Sequence, residues 1–367
     1  MAKIFIKNKL FNYIIQVLFS ILLLVGLAFI FQFLKRDKQG AFICKTFSIN
    51  GNYIPRDGAG IVELNGSIYI IGGWNPFRFP KTTSNDVWKS TNGIDWVCIK
   101  TNTFGTPLFD SKNDWEGRHC FGCVVFNNKI WILGGDANQK YQQSTVFSSD
   151  DGLTWVKHCS EFTDKLFDRF APLYSVCNSN IFIMGGQTMP SFFSADDPNK
   201  SVCFYNDVFM SKDGLNWTRL KINSRIWSPR MGVLGSCVFR SQIVVVGGGI
   251  YQGGLLTKRL YYSDIWVSNN GIEWKNIQPA NGWSKLRSGC MFHSVCEYDN
   301  KLWVVGGSDR NSNSDVVSYS SDLIHWTRIQ FPAFAGGHAF SVINFKNRLL
   351  IIGGSSLNKK NYIIEKI

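Results

Sequence analysis

Lys129-Ile130-Trp131-Ile132-Leu133-Gly134-Gly135 is an apolar run that stops on a glycine pair. After a polar loop comes Thr145-Val146-Phe147-Ser148-Ser149-Asp150-Asp151-Gly152-Leu153-Thr154-Trp155. The first stretch reads as a strand that ends abruptly, the second as two further strands joined by a Ser-x-Asp-Gly turn. The pattern recurs. Glycine pairs close apolar runs at Gly72-Gly73, Gly134-Gly135, Gly185-Gly186, Gly247-Gly248, Gly306-Gly307 and Gly353-Gly354. Such near-continuous apolar runs predict strands covered on both faces. Trp96, Trp155, Trp217, Trp274 and Trp326 follow at intervals of 52 to 62 residues, each six positions after a Ser and four after an Asp or Asn.

A period of this size, with several strands per copy, predicts propeller blades. The glycine pair, the later aromatic and the spaced Trp resemble the kelch repeat, and the resemblance covers residues 42–367. It implies a six-bladed β-propeller of four-stranded blades. The Ser-x-Asp-Gly-x-x-Trp turn is also similar to the Asp-box of sialidase blades; only Ser148–Trp155 has the full Asp-box spacing. In both families that turn is structural. The chain holds six glycine pairs but five such tryptophans, so one outer strand is missing. Phe42-Ile43-Cys44-Lys45 lines up with Trp96-Val97-Cys98-Ile99. Residues 42–49 are therefore expected to close blade six beside Tyr362–Ile367, which removes an exposed sheet edge.

Ahead of the propeller, residues 1–10 are a basic tail, and 11–34 are almost wholly apolar. Twenty-four helical residues span about 36 Å, enough for a bilayer. Residues 35–41 are a linker. The segment reads as a retained signal anchor, with the propeller extracytoplasmic. A cleaved signal peptide competes, with Gly26 and Ala28 before the cut, but the apolar run continues to Leu34. The formal charge is +13; without the N-terminal Lys and Arg residues and Asp37, 33 basic face 25 acidic residues. No basic run beyond the N-terminus concentrates that charge, so nucleic acid is not an expected partner. Ten cysteines are scattered. Cys120-x-x-Cys123 is expected on a strand, where residues three apart face opposite ways, so it reads as packing and not as a redox or zinc pair.

Loop lengths carry the functional expectation. Turns between first and second strands, and between third and fourth, are short. Connections between second and third strands, and between blades, are long, and strand alternation puts every long one on one face. Binding usually sits on such loops. Arg56, Arg118, Arg169 and Arg230 each precede a first strand, with Arg287 further out and His338 in blade six. They are expected around the channel mouth, in one of two roles. Each ties blades together through carbonyls or carboxylates such as Asp57 and Asp168, as the kelch resemblance implies. Alternatively they form an electropositive cup for an acidic ligand. Trp74, Phe77, Phe79, Tyr141, Phe192, Phe193, Tyr251 and Trp283 are aromatics on the same loops, suited to stacking.

No catalytic constellation, phosphate loop or copper-ligand pattern stands out, so no cofactor or metal is expected. His119, His293 and His338 are expected near the channel. Asp114, Glu116, Asp136, Glu161, Asp164, Asp196, Asp197 and Asp309 put carboxylates on the long-loop face. The function read from the chain is a membrane-anchored module binding a protein or acidic carbohydrate through that face. The alternative is a carbohydrate-active enzyme resembling sialidases or sialate mutarotases, although Tyr53-Ile54-Pro55-Arg56 departs from the sialidase Arg-Ile-Pro order.

Overall fold

The computed structural model describes residues 42–136, 143–158, 166, 169–188, 203–223, 225–232, 234–250, 260–284, 289–309, 312–358 and 360–367. The expected N-terminal anchor lies outside them. Among the described residues no helix is long and apolar enough to cross a membrane. Among the described residues, twenty-six strands form six four-stranded sheets and one small ribbon. Blade one holds β2 (Gly60–Leu64), β3 (Ser67–Ile71), β4 (Val87–Ser90) and β5 (Val97–Lys100). Blade two holds β6 (Gly122–Phe126), β7 (Lys129–Leu133), β8 (Val146–Ser149) and β9 (Val156–His158). Blade three holds β10 (Leu173–Cys177), β11 (Asn180–Met184), β12 (Val208–Ser211) and β13 (Trp217–Arg219).

Blade four holds β14 (Ser236–Phe239), β15 (Gln242–Val246), β18 (Ile265–Ser268) and β19 (Lys275–Ile277). The ribbon of β16 (Gly249–Ile250) and β17 (Leu260–Tyr261) rises from it. Blade five holds β20 (Ser294–Tyr298), β21 (Lys301–Val305), β22 (Val317–Ser320) and β23 (Thr327–Ile329). Blade six holds β24 (Phe340–Phe345), β25 (Arg348–Gly353) and β26 (Asn361–Lys366), with β1 (Phe42–Phe47) beside β26. One compact unit, Cys44–Ile364, contains the ring; the described part of the other is the strand ends Phe42–Ile43 and Glu365–Ile367.

Innermost strands β2, β6, β10, β14, β20 and β24 each touch the next, and β2 also touches β24, so the ring closes. Second strands are buried along nearly their whole length, as their apolar runs require. Each inter-blade space is filled from both sides. Val62, Ile71 and Trp115 meet Phe121, Ile130 and Ile132 between blades one and two, for example. Full burial of an aliphatic side chain stabilises by about 1.5–3 kcal/mol, so the inter-blade layers are the core.

The short face is built from two repeated devices. First and second strands join through two residues that both have positive φ, from Asn65-Gly66 to Lys346-Asn347, the geometry of a type I′ hairpin. The Ser-x-Asp-Gly turns repeat one hydrogen-bond set. Ser90, Ser149, Ser211, Ser268 and Ser320 Oγ each accept a backbone N–H three residues on, at 2.8–2.9 Å. Asn92, Asp151, Asp213, Asn270 and Asp322 each accept two more. The turns are structural.

The glycine pairs link blades. The second glycine donates its N–H to the next blade: Gly73 to Arg118 O, Gly186 to Arg230 O, Gly248 to Cys290 O, Gly307 to Gly337 O and Gly354 to Arg56 O, at 2.7–3.1 Å. A Cβ on Gly353, the first of its pair, would lie 2.2 Å from Arg56 O, and its φ is +74°. Only glycine combines that conformation with that approach.

Candidate functional site

The arginines stand at the predicted positions, and their side chains turn into their own blades. Arg56 pairs with both carboxylate oxygens of Asp86 and donates to Gly72 O at 3.0 Å. Arg169 pairs with Asp207 and Gly185 O, and Arg230 with Asp264 and Gly247 O. Arg118 donates to Gly134 O, Thr145 O and Thr145 Oγ1. All four are buried. Aromatic rings cover them as well: Tyr205 lies 3.9 Å from Arg169 Cζ and Tyr262 4.3 Å from Arg230 Cζ. The backbone carbonyls of Arg56, Arg118 and Arg230 serve the preceding blade, and all four guanidinium groups serve their own.

The carboxylate partners differ from those expected. Asp57 is not the partner of Arg56, and Asp168 and Arg287 lie outside the described residues. The partner is instead the residue just before the third strand: Asp86, Asp207, Asp264, or Thr145 in blade two. This signal is in the sequence. In blade five the Arg place is taken by Cys290 and the Asp place by Val316, so both charges disappear together.

The residue after each Arg place defines the channel mouth: Asp57, His119, Phe170, Met231, Met291 and His338. Two positions past the Arg place, Gly58, Cys120, Ala171, Phe292 and Ala339 have φ of 52–60°, as has Leu234 at 61° in blade four. This bend lets the rim bond from blade to blade. Gly58 N donates to Ala339 O, Cys120 N to Gly58 O, Gly232 N to Ala171 O, Val295 N to Leu234 O and Ala339 N to Phe292 O. Behind the rim a cavity of about 150 Å³ is lined by Cys120, Cys123, Tyr174, Ser236 and Ser294, among others. Cys120 packs in the apolar cluster at the mouth and Cys123 against the layer between blades one and two, so each has its own packing environment. β6 begins only at Gly122, and Cys120 sits in the left-handed bend before it. Burial pushes both thiols up from their usual range, which makes them poor nucleophiles and poor metal ligands.

The mouth has two halves. Phe170, Ala171, Met231 and Met291 form one apolar cluster with Cys120, Leu234, Tyr261 and Phe292. Opposite in chemistry is the sector of blades one and two. Asp57 is 8% exposed, and its Oδ1 has no hydrogen-bond partner among the described residues. Burial raises its pKa to about 6, against the pull of His119. His119 Nδ1 lies 3.4 Å from Asp136 Oδ2, and its ring stacks on Trp74 at 6.2 Å. Burial lowers His293 and His338 to about 4. His293 Nε2 bonds Val246 O at 2.9 Å and His338 Nδ1 bonds Asn313 Oδ1 at 2.8 Å. No group of three or more metal-binding side chains occurs among the described residues.

The loops over blades one and two are ordered by their own polar groups. Asn75 Nδ2 donates to Pro55 O, and Asn75 Oδ1 accepts from Phe77 N. Phe79 is buried against Arg56, whereas Phe77 is 84% exposed. In the next loop Asn85 Nδ2 bonds Thr103 Oγ1, Asp114 Oδ2 and Trp115 O, and Lys100 pairs with Asp114. Trp115 is fully buried, and Leu108 is 80% exposed. A Cβ on Gly105 would meet Lys81 and Pro80, so the two loops touch. Of the other expected aromatics, Trp283 is buried and donates to Ser263 O. Tyr141, Phe192, Phe193 and Tyr251 lie outside the described residues, as do Glu161, Asp164, Asp196 and Asp197. Gln143 Nε2 bonds Glu116 Oε2, and Ser312 N bonds Asp309 Oδ1.

The Kelch motif family model matches residues 55–89 and 289–330, in blades one and five. A curated relative, Kelch repeat and BTB domain-containing protein 1 of Cowpox virus (strain Brighton Red), is 24% identical over 238 residues. The match covers 62% of this chain and 35% of the relative. The chain thus spans about a third of the length of that relative.

Proposed function

We propose that this kelch-like β-propeller is a protein-binding module whose working surface is the long-loop face over blades one and two. The observation that carries this reading is the pair Phe77 and Leu108, displayed at 84% and 80% exposure on hydrogen-bonded loops. Apolar side chains held out by an ordered framework lose little freedom on binding, and interface cores select such anchors. The relative's name includes kelch repeats, in keeping with a propeller of this kind. An acidic-sugar ligand would need the four guanidinium groups, and each is already matched inside its blade. Residues 11–34 tether the propeller to a membrane in this reading, on the strength of their apolar length.

The test is site-specific cross-linking in cells. A photoreactive residue at Phe77 or Leu108 is expected to capture a discrete partner, and one at Leu153 on the short face is not. Equal capture from both faces, or capture from Leu153 alone, overturns the reading. Membrane attachment is checked by alkaline extraction: release of the full chain would remove the tether.

A further inference from the structure

The charge balance of the channel mouth is the reverse of an electropositive cup. Arg56, Arg169 and Arg230 are each paired with a carboxylate of their own blade, Arg118 is tied down by carbonyls and a hydroxyl, and the Asp57 carboxylate is left over. Asp57 is nine-tenths buried, and its Oδ1 lacks a donor among the described residues. Arg56, its neighbour in the chain, is committed to Asp86; Arg118, the neighbour of His119, is committed to Gly134 and Thr145. Asp136 stands on the far side of His119, and the charges of Asp57 and Asp136 both act on Cys120. The two acids therefore belong to one sector. Trp74 pairs with Asp57 through its backbone and stacks its half-buried indole on His119.

A buried carboxylate without a matched cation is costly. An incoming cation that completes it gains what the folded protein alone lacks, and an indole face adds attraction for the same charge. We propose that Asp57, with Asp136 and Trp74 beside it, receives a lysine or arginine side chain of the partner. This rests on the protein-binding reading of the long-loop face and adds to it a charge requirement. The apolar anchors Phe77 and Leu108 then supply area, and the mouth of blades one and two reads one cationic residue.

The experiment uses the full chain labelled with 5-fluorotryptophan, the Trp74 signal being assigned by Trp74→Phe. N-acetyl-arginine amide is titrated against N-acetyl-citrulline amide, its uncharged isostere. The arginine probe is expected to give a saturable shift at Trp74, and citrulline one at least about tenfold weaker. Asp57→Asn is expected to weaken the arginine response by at least about tenfold, whereas Asp110→Asn, an exposed acid on the same face, leaves it unchanged. Equal binding of citrulline, equal binding to Asp57→Asn, or no saturable shift overturns the proposal. Should Asp57→Asn fail to fold, the citrulline comparison on the unmodified chain decides. Failure here with Phe77 cross-linking intact removes the cation and leaves the protein-binding reading. Loss of cross-linking with the titration intact does the opposite.

Discussion

On one face of the ring five turns share the same serine acceptor, the same Asn or Asp acceptor and nearly the same distances. On the other face the described loops over blades one and two each solve their hydrogen bonding with their own residues, as Asn75 and Asn85 do. Both faces hang on the same strands, so the scaffold does not account for the difference. Repetition on the short face reflects a demand that every blade makes equally, namely reversing the chain between its third and fourth strands. Variation on the long face reflects demands that differ around the ring. The mouth shows this most directly, with two acids, one histidine and an indole over blades one and two and methionines and phenylalanines over three to five.

Substituting Arg56 offers the hardest test of that division. If the arginines belong to the scaffold, Arg56→Ala strands Asp86 in the interior and costs about 3–5 kcal/mol, read as a lower urea midpoint. Replacing both as Arg56→Met with Asp86→Leu recovers most of the loss, as Cys290 and Val316 manage in blade five. Normal stability with lost binding would instead move the arginines to the functional side. Next in size is Asp57. Its folded pKa of about 6 lies above the ordinary 3.8, so the folded state holds the extra proton between those values. Below about pH 4 the group is neutral in both states; as pH rises through about 6, stability falls by on the order of 2–3 kcal/mol. Urea titrations across pH should show that slope, and Asp57→Asn should abolish it.

The short face supplies two smaller effects. Gly214 has φ +81°, and a Cβ there would meet the Trp131 ring at 2.9–3.1 Å, so Gly214→Ala is expected to cost about 1–3 kcal/mol in thermal or urea unfolding. Ser211→Ala removes one acceptor from a buried N–H and is expected to cost about 1 kcal/mol; the matching change at Ser149 should cost the same. Unequal costs would break the equivalence of the turns. Smallest of all, Phe77→Ala and Leu108→Ala should leave stability within about 0.5 kcal/mol while weakening capture of the partner.

Most of the architecture was legible because propeller blades repeat. Glycine pairs, spaced tryptophans and loop lengths each occur several times, and an accident does not. The sharing of blade six between the two ends followed from a missing tryptophan. The site was less legible because its chemistry occurs once. For Arg56 the sequence left two roles open, a tie in the scaffold or a cation for a ligand, and the structure pairs it with Asp86. That pairing depends on a contact thirty positions away, marked only by the joint absence of Arg and Asp from blade five. Cys120 and Cys123 read correctly as packing residues, but the left-handed bend that takes Cys120 out of the strand has no mark in the sequence. Asp57 drew notice only as an arginine's partner; its solitude is a property of the packed mouth.

Blade six, assembled from Phe42–Phe47 and Phe340–Lys366, has a consequence for how the molecule comes into being. The earliest of these strands to be synthesised must wait, unpaired, until the last has been made. Five blades can collapse as local hairpins while the sixth remains open. Closing the ring is then the step with the longest loop to shut, and the natural point at which a stalled chain would expose an edge to its neighbours.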